Sequence, residues 1–309
     1  MSASRTSFIS PRRIIIIGQS TITQLVRMKV FYFLLPVAAL FVGIQFFDPP
    51  WFSGPEAAQP EQELQMHKNL CLGAMMLFGA LFAIVSTALL IPRDIEDRTL
   101  YTILCKPVPR LDYLIGKLLG VMAVIAIAML AMDILLVITL KYRTDNLIAL
   151  LEPFLQERNW PQEAIDAKLA EVASHGPTLT LQYAVIAFFL KASVVAAIAL
   201  LISTFSTSTL FTIACSTMIY IIGSAQAIAR EGLFDRGGLA ENSGLIGKVL
   251  ATLVSLVFPD FQLFDSIAEA ATRAAEVTLN DLLHLGGLSL FYLGIYVVLS
   301  WFIFSDKEF

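Results

Sequence analysis

Two ionisable residues stand where such residues are expensive. Asp133 and Lys191 each lie inside a long apolar run. A charge at membrane depth costs roughly 2.5–3.5 kcal/mol on insertion scales, so it needs a partner or a water-lined cavity. The two runs are consecutive, so helices built from them would be antiparallel. At 1.5 Å per residue, Asp133 falls about 10 Å and Lys191 about 15 Å inside the same face. The expectation is an intramembrane Asp133–Lys191 pair, either a static tie between two helices or a charge site on a substrate path. Other chemistry is sparse. Nucleotide hydrolysis requires a phosphate cradle of the form GxxxxGK[ST]. Gly116-Lys117-Leu118 and Gly247-Lys248-Val249 lack both the upstream glycine at that spacing and the hydroxyl after lysine. The chain is therefore expected to hold no cofactor and no ATP of its own, drawing energy from a partner or a gradient. His67, His175 and His284 are far apart, and Cys71, Cys105 and Cys215 are isolated, which indicates no catalytic residue, no metal site and no disulfide framework.

The elements that would position these residues are membrane spans. Of the 309 residues 57% are hydrophobic and 15% charged, whereas a soluble domain carries roughly 25% charged residues. Too little charge remains to cover a water-facing surface. A hydrocarbon core of about 30 Å needs about 20 apolar residues in helix. Six runs meet that need: 30–47, 70–91, 113–140, 181–205, 210–228 and 282–304. A seventh, 245–258, is too short and suits a re-entrant or interfacial segment. The fold class expected is all-α, a polytopic membrane protein of six transmembrane helices.

Orientation follows from Lys and Arg near the span ends. One side gathers Arg5, Arg12, Arg13, Arg27 and Lys29, then Arg93, Arg98, Lys106, Arg110 and Lys117, then Lys307. The other side spreads its basic residues over about twice as much chain. The denser side is expected to be cytoplasmic, with both termini inside. The short apolar run 14–17 lacks the small-residue cleavage site of a signal peptide. With a net charge of −4, no basic field points to nucleic acid.

Before the first span, Ile14, Ile17, Thr21, Leu25 and Met28 recur at helical spacing, with Arg12, Arg13, Gln24 and Arg27 elsewhere on the wheel. The pattern predicts an amphipathic helix at the membrane interface, its basic groups toward lipid phosphates. Between the second and third spans, Pro92 suits the first position of a new helix, and Asp94, Glu96 and Asp97 suit its first turns. Leu100, Ile103 and Leu104 form an apolar patch, and Pro107 ends the helix. The product is a short two-faced helix strung between two spans, able to dock a soluble partner; the plain alternative is a charged connector.

This stretch resembles a known family. Glu96-Asp97-Arg98-Thr99-Leu100, then Lys106-Pro107-Val108-Pro109-Arg110, then Tyr113-Leu114-Ile115-Gly116-Lys117 is similar to the coupling-helix region of type-2 ABC transporter permeases. The family pattern there is roughly Glu, Gly-Thr-Leu, an apolar pair, Pro-[Val/Ile]-x-Arg, then Gly-Lys before a span; Arg98 stands where glycine is usual. The resemblance extends to a basic amphipathic first helix, six spans, a Pro259-Asp260-Phe261 break and a short charged tail. It implies a single permease domain over 1–309 that works as a homodimer or heterodimer with a separate ATP-binding subunit and exports its substrate. It also implies ATPase-coupling roles for Arg93, Glu96, Thr99, Leu100, Pro107, Arg110, Gly116 and Lys117, and a bacterial cytoplasmic membrane as the location.

Two extracytoplasmic inserts are expected, at 141–180 and 229–281. Residues 147–176 read as two short helices broken at Asn159-Trp160-Pro161, the second with an Ile165/Leu169/Val172 stripe. Ser266-x-x-Glu269 and Thr278-x-x-Asp281 are capping-box patterns that would start helices after Asp265 and before the last span. The rival function is a gradient-driven transporter or channel without an ATPase. Such proteins often carry internal repeats, and none is evident between 1–145 and 146–309. A third reading is a membrane scaffold that recruits an ATPase.

Overall fold

The computed structural model describes residues 10–28, 32, 36–40, 43, 60–96, 109–206, 208–234 and 259–305. The described residues form helices and no strands: α1 (Pro11–Val26), α2 (Pro60–Glu96), α3 (Arg110–Glu157), α4 (Gln162–Ser174), α5 (Leu179–Phe205), α6 (Thr209–Phe234), α7 (Gln262–Thr272) and α8 (Leu279–Ser305). Five of these regions, containing α2, α3, α5, α6 and α8, are long and apolar enough to cross a membrane. The expected first span, 30–47, lies outside the described residues except at positions 32, 36–40 and 43, and the short segment 245–258 lies wholly outside them.

The core is an apolar bundle centred on α5. Its small residues Ala184, Ala187, Ala192, Ala196 and Ala197 are buried, which lets neighbouring backbones approach closely where lipid supplies no hydrophobic drive of its own. α5 packs against α2, α8 and α7, while α1 lies along the first half of α3. One end of the bundle, the α1 end, gathers α1, the end of α2, the start of α3 and the end of α8. The opposite, α4 end holds the start of α2, the end of α3 and α4.

Several expectations change here. Pro92 does not begin a new helix; α2 runs through it to Glu96. Bundled helices tolerate such a proline because neighbouring groups satisfy the freed carbonyl. Asp94 therefore sits in a last turn, not a first one. The third helix does not end near Leu140: α3 is 48 residues long in all, about 72 Å at 1.5 Å per residue, far beyond a hydrocarbon core of about 30 Å. The first of the two expected short helices is thus the C-terminal part of α3. The break at 158–161 does occur, with Asn159 at a φ of 53°. α4 then folds back with Ile165 and Val172 buried. The projecting head is tied by Lys168 Nζ to Glu61 at 2.7 Å and Arg143 Nη1 to Glu63 at 3.2 Å.

The two capping-box patterns differ in outcome. Thr278 N–H donates to Asp281 Oδ2 at 3.1 Å, just before α8. Ser266 instead lies inside α7 and its hydroxyl donates to the Leu263 carbonyl. The group that serves the start of α7 is Asp260, whose Oδ1 accepts from Gln262 N–H at 3.1 Å.

Candidate functional site

Asp94 is an acid in the last turn of a helix, where the dipole disfavours negative charge, and it is 3% exposed. Three groups from two other helices converge on it. Lys117 Nζ of α3 lies 2.7 Å from Oδ2, Tyr113 Oη donates to the same oxygen at 2.6 Å, and Gln24 Nε2 of α1 donates to Oδ1 at 3.1 Å. Lys117 Nζ also donates to Gln24 Oε1 at 2.9 Å. A buried carboxylate with one ammonium and two neutral donors is satisfied, and the three donors tie α3 and α1 to the end of α2.

The close contact between α1 and α3 depends on glycine. A Cβ on Gly116 would stand 2.8 Å from Ile17 Cβ, and one on Gly120 would stand 2.6 Å from Thr21 Cβ and 2.9 Å from the Gly18 carbonyl. The spacing Gly116-x-x-x-Gly120 places both on one face, the small-residue arrangement by which membrane helices approach closely. The helical stripe on α1 exists: Ile14, Thr21, Leu25 and Met28 are buried. It faces α3, while Ile15 and Ile16 point outward. Arg13 turns to protein as well, its Nε lying 3.5 Å from the buried Asp112. Asp112 sits in the first turn of α3, where the dipole favours it.

α8 joins the same end. Arg110 Nη1 donates to the Phe304 and Ser305 carbonyls, which would otherwise lack partners at a helix terminus. The Tyr113 and Phe304 rings stack at 5.9 Å. The described residues that flank 97–108 are therefore anchored, Asp94 to α3 and α1 and Arg110 to α8.

The residues expected to form the coupling region fall into three groups. Arg110, Gly116 and Lys117 are structural anchors of its flanks. Arg93 is exposed beside Asp94, and Glu96 is the last residue of α2. Thr99, Leu100 and Pro107 lie outside the described residues. Sequence reasoning missed Asp94, Tyr113, Gln24 and Asp112 as a unit; the signal available was an acid directly after an apolar run, followed by a lysine in the next span.

The interior pair is not the one expected. Lys191 Nζ donates to both carboxylate oxygens of Asp265, at 2.8 and 2.9 Å, and Asp133 Oδ1 accepts from Gln182 Nε2 at 3.1 Å. The reason is register. Asp133 is level with Gln182, nine residues before Lys191 on α5, which is about 13 Å of helix rise. α3 thus sets Asp133 against Gln182, and α7 sets Asp265 against the lysine. α7 spans the difference: its last turn lies near Lys68, whose Nζ donates to the Ala271 carbonyl at 3.2 Å.

The histidines are dispersed over α2, the end of α4 and α8. His67 lies 3.7 Å from Glu63, His175 is buried, and His284 is exposed. Among the described residues, no group of three or more His, Cys, Asp or Glu side chains is arranged to hold a metal ion.

Comparison with known proteins gives one family: the model described as ABC-2 family transporter protein matches residues 15–225, from within α1 to within α6. No curated protein matches the chain.

Proposed function

The chain belongs to the ABC-2 family of transporter proteins, and from that premise we propose that it is the permease subunit of an exporter whose ATP is bound and hydrolysed by a separate subunit. The observation that carries this reading is the anchoring of the stretch between Asp94 and Arg110. A segment that receives force from an ATPase must pass it to helices, and a loose loop would dissipate it. Here one flank is bound through Asp94 to Lys117, Tyr113 and Gln24, and the other through Arg110 to the end of α8. A push on this stretch is thereby delivered to α1, α2, α3 and α8 together. The docking face itself is assigned to Arg93, Glu96, Thr99, Leu100 and Pro107, on the strength of the sequence pattern. Arg110, Gly116 and Lys117 transmit; they do not dock.

In this reading two permease chains pair in a bacterial cytoplasmic membrane, with both termini and the α1 end facing the cytoplasm. α1 lies at the interface of that membrane, its Ile15 and Ile16 toward lipid. The path runs between the two permease chains. The test is ATPase stimulation in the reconstituted permease–ATPase complex. Glu96→Lys and Leu100→Asp are expected to lower stimulation and transport while membrane insertion stays normal. Unchanged stimulation and transport in both variants would remove the docking role.

A further inference from the structure

The interior of the bundle holds a site suited to a positive charge. Asp265 presents both carboxylate oxygens to the Lys191 ammonium at 2.8 and 2.9 Å. The Tyr220 and Phe261 rings stand 5.4 and 5.6 Å from the same nitrogen. An acid with two aromatic faces is the chemistry that holds an ammonium head: the carboxylate supplies charge, and the ring quadrupoles attract a desolvated cation. The walls are held in place. Phe261 packs on Tyr220 at 5.6 Å, its N–H donates to the Gly223 carbonyl at 3.3 Å, and its ring occupies space where a Cβ on residue 223 would come within 2.6 Å.

The two charged partners are unequally accessible. The Lys191 side chain is 4% exposed and that of Asp265 24%. From Asp265 the exposed face of α7 continues through Ser266 and Glu269 toward the α4 end. Asp265 is thus the member of the pair that a ligand reaches first.

Resting on the reading of the chain as a transport subunit, we propose that Asp265, Tyr220 and Phe261 form the binding site for a monovalent organic cation with an ammonium head, which Lys191 occupies until that ligand displaces it. The built-in ammonium lowers apparent affinity in proportion to the time it holds the acid. Displacement also breaks the ion pair that joins α7 to α5.

The experiment is equilibrium binding of radiolabelled tetraethylammonium to the full-length protein in lipid nanodiscs. Lys191→Met is expected to bind at least tenfold more tightly than the unmutated protein. Lys191→Met with Asp265→Asn loses that gain, and Lys191→Met with Tyr220→Leu loses part of it. Binding by Lys191→Met no tighter than the unmutated protein, or unaffected by the second substitutions, overturns the proposal. A second measurement needs no variant: modification of Asp265 by a hydrophobic carbodiimide, mapped by mass spectrometry, is expected to slow at saturating tetraethylammonium. An unchanged rate also overturns it. Neither readout involves ATP or a partner subunit, so failure here is separable from failure of the ATPase-coupled reading.

Discussion

Lys117, seven residues into α3, holds Asp94 at the end of α2 across a distance of 2.7 Å, with both side chains 4% exposed. The pair explains why an acid tolerates the negative end of a helix dipole and why a lysine follows Gly116 in the middle of an apolar run. It also makes the α1 end of the bundle a single mechanical unit, since Gln24 of α1 contacts both members.

Removing one member of this pair leaves a buried charge without its partner, which typically costs about 3–5 kcal/mol, whereas replacing both is often nearly neutral. Lys117→Met is therefore expected to lower the thermal unfolding midpoint of the purified protein sharply. Lys117→Met with Asp94→Asn is expected to recover most of the loss. A double variant no more stable than the single one would show that the pair is not a mutual tie.

Gly120→Val tests the α1–α3 contact. A side chain there meets Thr21 and the Gly18 carbonyl within 3 Å, and overpacking of this kind costs typically about 1–3 kcal/mol. α1 is expected to separate from α3, exposing residues 11–26 to limited proteolysis while the rest of the bundle stays resistant. An unchanged cleavage pattern would mean that the helices adjust without parting.

The interior register makes a comparison of charge swaps decisive. Lys191→Asp with Asp265→Lys is expected to assemble far better than Lys191→Asp alone, as judged by recovery of monodisperse protein on size exclusion. Lys191→Asp with Asp133→Lys is expected to give no such rescue. Asp133→Asn should cost at most about 1 kcal/mol, since an amide oxygen can still accept from Gln182.

The two ends of the bundle are expected to face opposite sides of the membrane. Cysteine introduced at Glu163, exposed on α4, should react with a membrane-impermeant thiol reagent added to intact cells. Cysteine at Asp97 should react only after permeabilisation. Labelling at 97 but not at 163 would reverse the orientation.

The amino-acid sequence by itself determined the membrane class, the all-helical fold and the family. Each rests on local quantities: long apolar runs, the punctuation of Pro and Gly, and the order of residues around 93–117. The Thr278–Asp281 cap and the break at Asn159–Pro161 were legible for the same reason, being contained within a few residues. Helix length was less legible. α3 continues past Leu140 because Ile148, Leu151 and Leu155 bury against neighbouring elements, a cause absent from the run itself. Pro92 lies inside α2 because packing offsets what a proline costs an isolated helix. Partnership between charges was decided by tertiary structure alone. Apolar periodicity places Asp133 and Lys191 in adjacent spans, but pairing depends on axial level, and the bundle sets Asp133 against Gln182 and Asp265 against Lys191. Asp265, Asp94 and Gln24 find their partners 74, 23 and 93 residues away, and no local pattern encodes a contact at that separation.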